Sequence, residues 1–277
     1  MSIIKTREPR LFLAIARKGS GKSYTSEKLM QQYVRGSATT PPRRCLIHDV
    51  NDEYTHIKSI RIGDIPLFSV HPFIEIRRVR PFVENPDGSL GRQMTLDELA
   101  EALFQILQVY RNGLLLIEDV NKYISDSMPN DLIGAICTNR HTGVDIILHY
   151  QSIGRVTSKV WQNVNLIRMH KCTDAVKRHK HKFEDKFEYL SIAELLVNKR
   201  YEDGDTRFFL YIDIDDEKIY GAFTKEEFEW ACLRFIQKNY SSIINPMLNE
   251  RDEKGKKLYD VASAQSEAKK RLMHYLR

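Results

Sequence analysis

Cysteine is scarce: the 277-residue chain has four, Cys45, Cys137, Cys172 and Cys232, with no Cys-x-x-Cys pair. That spacing gives no zinc signature, and a disulfide framework is not expected in a chain of this length. The four read as small buried hydrophobes. Long apolar runs are also missing: none approaches the roughly 18 residues that span a bilayer. Met1-Ser2-Ile3-Ile4-Lys5 lacks the apolar stretch of a secretion signal. A cytoplasmic protein with no membrane partner is therefore expected. Internal repeats and low-complexity tracts are absent as well. Neither sign of charge is lacking: 43 Lys and Arg against 37 Asp and Glu leave +6. This excess is compatible with a polyanionic partner but does not establish one.

Enough apolar material is present for a core. Hydrophobic residues make up 42% and charged residues 29%, the balance of a soluble globular protein. The length suits one large α/β domain with an appendage, or two small domains. Runs at 11–15, 43–49, 114–117, 144–149 and 164–169 read as strands, the second ending in the carboxylate of Asp49, and helical patterns fall between several of them. Thr95 with Glu98 forms a capping box that opens a helix to about Tyr110, and 132–140 is helix-like. Residues 57–92 are less regular, with strand-like pieces at 60–62 and 74–79. Strands alternating with helices predict a mostly parallel sheet flanked by helices on both faces. Arg207–Asp213 and Lys218–Phe223 flank Asp215-Asp216, an antiparallel hairpin at the sheet edge. Thr224 caps a helix to about Tyr240. From Ser241 the chain turns polar, and a last helix is predicted over 259–276. The expected division is an α/β domain over 1–225 and a helical C-terminal appendage over 226–277.

Ala16-Arg17-Lys18-Gly19-Ser20-Gly21-Lys22-Ser23 stands between an apolar strand and a helix. A glycine turn in that place lets successive N–H groups face phosphate oxygens, aided by the helix N-terminus. Lys18, Gly19, Ser20, Gly21, Lys22, Ser23 and Tyr24 are the candidate nucleotide-binding residues. Lys22 would reach the β- and γ-phosphates of ATP, and the Ser23 hydroxyl would hold Mg²⁺. The usual pattern opens with Gly where this chain has Ala16. NTP hydrolysis also needs carboxylates beside the loop. The strand at 114–117 ends in Glu118 and Asp119. Glu118 is assigned to the metal shell and Asp119 to water activation, with the two roles exchangeable. Gln151, after the next strand, can report on the γ-phosphate or position water.

Four pieces occur in order: the loop at 16–23, His48-Asp49-Val50-Asn51-Asp52-Glu53-Tyr54, the carboxylate strand at 114–119, and Asn139-Arg140-His141-Thr142-Gly143 running on to Gln151. Together they resemble the FtsK/HerA branch of P-loop ATPases, which includes viral genome-packaging motors. The resemblance spans residues 8–172. Departures are the missing first loop glycine, the Glu-Asp order at 118–119, and Ser152-Ile153 where Arg-Pro is common. What it implies is a RecA-like P-loop ATPase domain over 1–225, and a homo-oligomeric ring, a hexamer or pentamer, that moves DNA. It implies a catalytic place for Glu53. It also implies an arginine acting on the neighbour's nucleotide: Arg140 first, Arg155 second.

Double-stranded DNA is the expected partner, with single strands not excluded, along with a capsid or portal-like docking partner. The site would then be in the host cytoplasm if the chain is viral. Arg168, Lys171, Lys177, Arg178, Lys180, Lys182 and Lys186, with His170, His179 and His181, form a basic cluster that would line a DNA channel or a solvated helix face. A second cluster, Lys254 to Lys257 and Lys269 to Arg271, is interleaved with acids and reads as a docking helix. The alternative is a nucleotide-dependent assembly factor or switch without motor activity.

Overall fold

The inner runs Leu11–Ile15 and Gly113–Ile117 are apolar and buried along their whole length, as strands of a parallel sheet covered by helices on both faces require. In chain order the computed structural model forms β1 (Leu11–Ile15), α1 (Lys22–Arg35), β2 (Arg44–His48), α2 (Ile65–Val70), β3 (Ile76–Val79), β4 (Phe82–Glu84) and β5 (Leu90–Gln93). Then come α3 (Leu96–Val109), β6 (Gly113–Ile117), α4 (Asn130–Cys137), β7 (Asp145–Tyr150), α5 (Ser158–Asn163) and β8 (Leu166–His170). The chain closes with α6 (Phe187–Glu202), β9 (Phe209–Asp213), β10 (Lys218–Gly221), α7 (Lys225–Lys238), α8 (Tyr240–Asn249) and α9 (Val261–Leu272). The structure describes residues 8–38, 40–85, 87, 89–122, 130–137 and 139–277, and the side chains of 130, 131, 139, 140 and 184 lie outside that description.

One eight-stranded sheet runs β10-β9-β8-β1-β7-β6-β2-β3, and β4 and β5 pair separately. From β8 to β3 all pairs are parallel. β9 and β10 add an antiparallel hairpin at the edge, which bears out the mostly parallel P-loop sheet with an edge hairpin. Register places the site. Ile15 lies opposite Tyr150, and Ile117 opposite both His48 and Leu148. The segments leaving β1, β7, β6 and β2 therefore emerge together at the carboxyl end of the sheet, where open α/β sheets bind ligands.

Alternation along the strands splits the core in two. Leu13, Ile15, Leu46, Leu115, Ile117 and Leu148 belong to the larger cluster, shared with α3 and the later helices. Phe12, Ala14, Cys45, Ile47, Leu114, Leu116 and Ile147 face α1, whose Met30 is fully buried. Residues from α7 and α9, including Phe228, Ile236, Ala264 and Leu272, join the larger cluster.

Several elements differ from the sequence reading. The strand predicted over 164–169 is Leu166–His170, because α5 ends at Asn163 with Val164 as its C-cap. Ile62–Asp64 is a 3₁₀ turn leading into α2, not a strand. Four helices were not anticipated, α2, α5, α6 and α8, the last in the tract read as merely polar. The last helix is shorter than predicted, Val261–Leu272 with a 3₁₀ turn beyond it. Both threonine capping boxes form: Thr95 accepts from the Glu98 N–H and Thr224 from the Glu227 N–H, each with its return bond.

Candidate active site

The turn after β1 is built by two glycines in left-handed backbone, Gly19 at φ 83° and Gly21 at φ 84°. L-residues enter that region at a cost, which explains glycine at both places. Gly21 is the N-cap of α1 and has no side chain to satisfy the helix N-terminus. Those donors stay available to an anion. Arg17 anchors the turn through its N–H to the Lys171 carbonyl at 2.8 Å, and the Ser20 hydroxyl donates to the Arg17 carbonyl at 2.6 Å. Ala16 is fully buried and its N–H meets the Tyr150 carbonyl at 3.0 Å, so the first position of the loop serves as strand rather than turn.

Six side chains from four segments converge beside the turn. Lys22 Nζ stands 3.3 Å from Asp119 Oδ1. The Ser23 hydroxyl lies 3.3 Å from Glu53 Oε2 and 3.4 Å from Glu118 Oε1. Gln151 Nε2 donates to Asp119 Oδ1 at 3.2 Å. Asp119 takes a left-handed φ of 40°, a conformation Asp tolerates better than most side chains. It turns the chain straight after β6 and leaves both acids at the loop.

Asn51 was quoted in the sequence reading only as part of a motif, yet its amide bridges both acids, 3.4 Å from Glu118 Oε2 and 3.0 Å from Asp119 Oδ2. Asp49, fully buried, accepts the N–H groups of Glu53 at 2.9 Å and Tyr54 at 3.1 Å, while Arg78 pairs with it at 2.8 Å. That turn carries Glu53 to Ser23. The signal in sequence was an Asp directly after a strand, the residue that hydrogen-bonds backbone ahead of itself. Beneath the loop, Arg168 donates to the Lys22 carbonyl at 3.2 Å and to Ser26 Oγ at 2.5 Å, and Ser26 Oγ lies 2.7 Å from His149 Nε2. Arg168 was visible as a lone cation in the apolar strand β8.

The electrostatics follow from carboxylates crowded at one buried turn. Burial, reinforced by Glu53 and Asp49, raises Glu118 to about 8 despite Lys22 nearby. Burial would also raise Asp119, but the Lys22 charge and hydrogen bonds from Asn51 and Gln151 outweigh it and hold the carboxyl below its usual value. Burial pulls Lys22 down, while Asp119 and Glu118 push it back up. His149 approaches Glu118 at 3.9 Å, but burial keeps the ring neutral, so this is no ion pair. A hydroxyl and crowded carboxylates form a hard oxygen donor set that suits Mg²⁺. Among the described residues no group of three or more His, Cys, Asp or Glu is placed to hold a metal alone.

The remaining candidates are scattered. Lys18 is exposed, and Tyr24 is exposed with Lys28 Nζ over its ring at 5.1 Å. Arg140 lies in the 3₁₀ turn Asn139–Thr142, its side chain outside the described groups; Arg155 is exposed at the end of the turn Ile153–Arg155. The basic cluster does not form one face. Arg168 and His170 are fully buried, and burial lowers His170 to about 3. Both are core groups rather than DNA contacts. Lys171 donates to Asn198 Oδ1 at 2.5 Å, and Lys182 to backbone carbonyls of Gly154 and Val156. Lys177, Arg178, Lys180 and His181 are exposed on the 3₁₀ segment Val176–Lys182.

A glycine loop between β1 and α1, acids just after β6, and a strand inserted between β1 and β6 that leads directly into Gln151 define a P-loop ATPase fold. The crystal structure of B204, the DNA-packaging ATPase from Sulfolobus turreted icosahedral virus, is similar: TM-score 0.50 and 16% identity, over 77% of this chain and 97% of that one. The genome packaging NTPase B204 from Sulfolobus turreted icosahedral virus 2, in complex with ATP-gammaS, gives 0.49 and 17%, over 76% and 95%. The N-terminal domain of zonular occludens toxin from Neisseria meningitidis gives 0.35 and 12%, over 58% and 76%. No protein-family model and no curated protein matches the chain. At the level of fold, the P-loop resemblance read from sequence is borne out.

Proposed function

We propose that this chain is a ring-forming, Mg²⁺-dependent ATPase that translocates DNA and packages a viral or mobile-element genome in the host cytoplasm. One observation carries the reading: Lys22, Ser23, Glu53, Glu118, Asp119 and Gln151 meet at the mouth of a glycine turn whose helix donors are uncapped. The likeness to a DNA-packaging ATPase supports the choice of DNA as partner. A homo-oligomeric hexamer or pentamer, and a capsid or portal-like docking partner, follow from the same reading. Residues 226–277 serve it as a helical appendage to the ATPase domain. Among the described residues no helix is long and apolar enough to cross a membrane.

In this mechanism the loop N–H groups and Lys22 grip the β- and γ-phosphates of ATP, with Lys22 leaving Asp119 to do so. Ser23 and Glu118 would hold Mg²⁺, which when bound neutralises charge on the phosphate oxygens. Asp119, released from Lys22, takes a proton from the attacking water, and Gln151, whose amide lies 3.2 Å from Asp119 Oδ1, aligns that water. Glu53 stands across Ser23 as a second acceptor. Arg140, or failing it Arg155, stabilises the γ-phosphoryl group on the neighbouring subunit, the use to which a planar guanidinium is suited.

The test is the ATP hydrolysis rate with and without double-stranded DNA for wild type, Lys22→Ala and Arg140→Ala. DNA should raise the wild-type rate, Lys22→Ala should abolish it, and mixing the two variants should restore part of it. An unchanged rate with DNA, and no oligomer with ATP, would leave the assembly-factor or switch reading in its place.

A further inference from the structure

Directly after Gln151, the chain makes a short loop whose backbone donors have one destination. Asp174 Oδ1 accepts the Ile153 N–H at 3.0 Å, and Oδ2 accepts the Gly154 N–H and the Ser152 hydroxyl, both at 2.7 Å. His179 Nε2 stands 2.9 Å from the same Oδ2. The opposite side of the loop is held too: Lys182 donates to the Gly154 carbonyl and, at 3.2 Å, to the Val156 carbonyl. Thr173 donates to the Gln151 carbonyl itself at 3.2 Å. Gly154 is enforced by this clamp, since a Cβ there would come within 2.4 Å of the His179 ring. Burial works against the Asp174 charge, but the bonds from Ser152, Gly154 and Ile153 pull its carboxyl below the usual range. Three donors on one carboxylate are charge-assisted hydrogen bonds, the stronger kind.

We infer that Asp174 is a positioning residue for nucleotide turnover: it fixes the Gln151–Arg155 loop so that Gln151 faces Asp119 while Arg155 is presented at the surface. Asp174 touches neither Lys22 nor the acids in any contact described above, so it acts through Gln151. The inference rests on the proposed ATPase reading. Displacing a group that aligns water by about 1 Å costs up to roughly a hundredfold in rate.

Asp174→Asn keeps the shape, removes the charge and turns an acceptor into a donor facing donors. Lys182→Met releases the other side while keeping the apolar stem. Two quantities are read on each: amide exchange of the peptide 151–156, and kcat against KM for ATP. Faster exchange with kcat lowered about tenfold or more and KM within about threefold is the expected result. Wild-type exchange, or faster exchange with kcat unchanged, overturns the inference. So does a KM rise that accounts for the whole loss. If Asp174→Asn does not fold, Lys182→Met decides by the same criteria. Wild-type hydrolysis that Lys22→Ala leaves intact would instead sink the ATPase reading, and the exchange data would still report whether Asp174 holds the loop.

Discussion

Lys22 is where a single change should matter most. Its ammonium pairs with Asp119 across the turn at 3.3 Å, so Lys22→Ala should lower kcat by about a hundredfold or more while the fold survives. Steady-state hydrolysis with circular dichroism as a folding control checks it. Gly19 makes a different kind of prediction. A Cβ at Gly19 meets nothing within 4 Å, so Gly19→Ala would be harmless on space alone, yet φ is +83°. The backbone term should cost about 1–2 kcal/mol in urea unfolding. Glu118 supplies a pH dependence. Its folded value, about 8, lies above the ordinary glutamate value of 4.5, so the ligand-free folded state binds more protons between those limits. Stability of the ligand-free protein therefore falls as pH rises from about 5 to 8. Thermal unfolding across that range should show the fall, and Glu118→Gln should flatten it.

Among the elements, the readable ones were those with either a clean period or a cap. Strands β1, β2, β6 and β7 were legible as short apolar runs, and α3 and α7 as capping boxes followed by helical spacing. Helix α6 was not legible because it has no polar stripe along most of its length. Tyr189 to Ala193 and Leu195 to Val197 are all buried, so the contrast that marks an amphipathic helix is missing. Leu196→Ala should accordingly cost about 2–5 kcal/mol by urea unfolding, as a core truncation does. Within the site, the loop, the two acids and Gln151 were legible from their order on strands. Asn51 and Asp174 were not: both act through contacts 20 or more residues away, which leave no local pattern. The basic stretch misled for a related reason, since composition cannot separate buried Arg168 from exposed Lys177.

For the whole molecule, sheet register is what turns sequence order into a site. Ile15, Tyr150, Ile117 and His48 end their strands side by side, so the four segments after them share one edge. The larger hollows, about 340 and 370 Å³, lie instead around Ser59 to Arg61 and Glu84, far along the sheet by β3. The most direct measurement is a structure of the chain with Mg²⁺ and a non-hydrolysable ATP analogue. The account predicts β- and γ-phosphates on the turn at Lys22, and the metal between Ser23 and Glu118 with Asp119 freed from Lys22. A nucleotide seated in the hollows beside β3, with the Lys22–Asp119 pair intact, would contradict it.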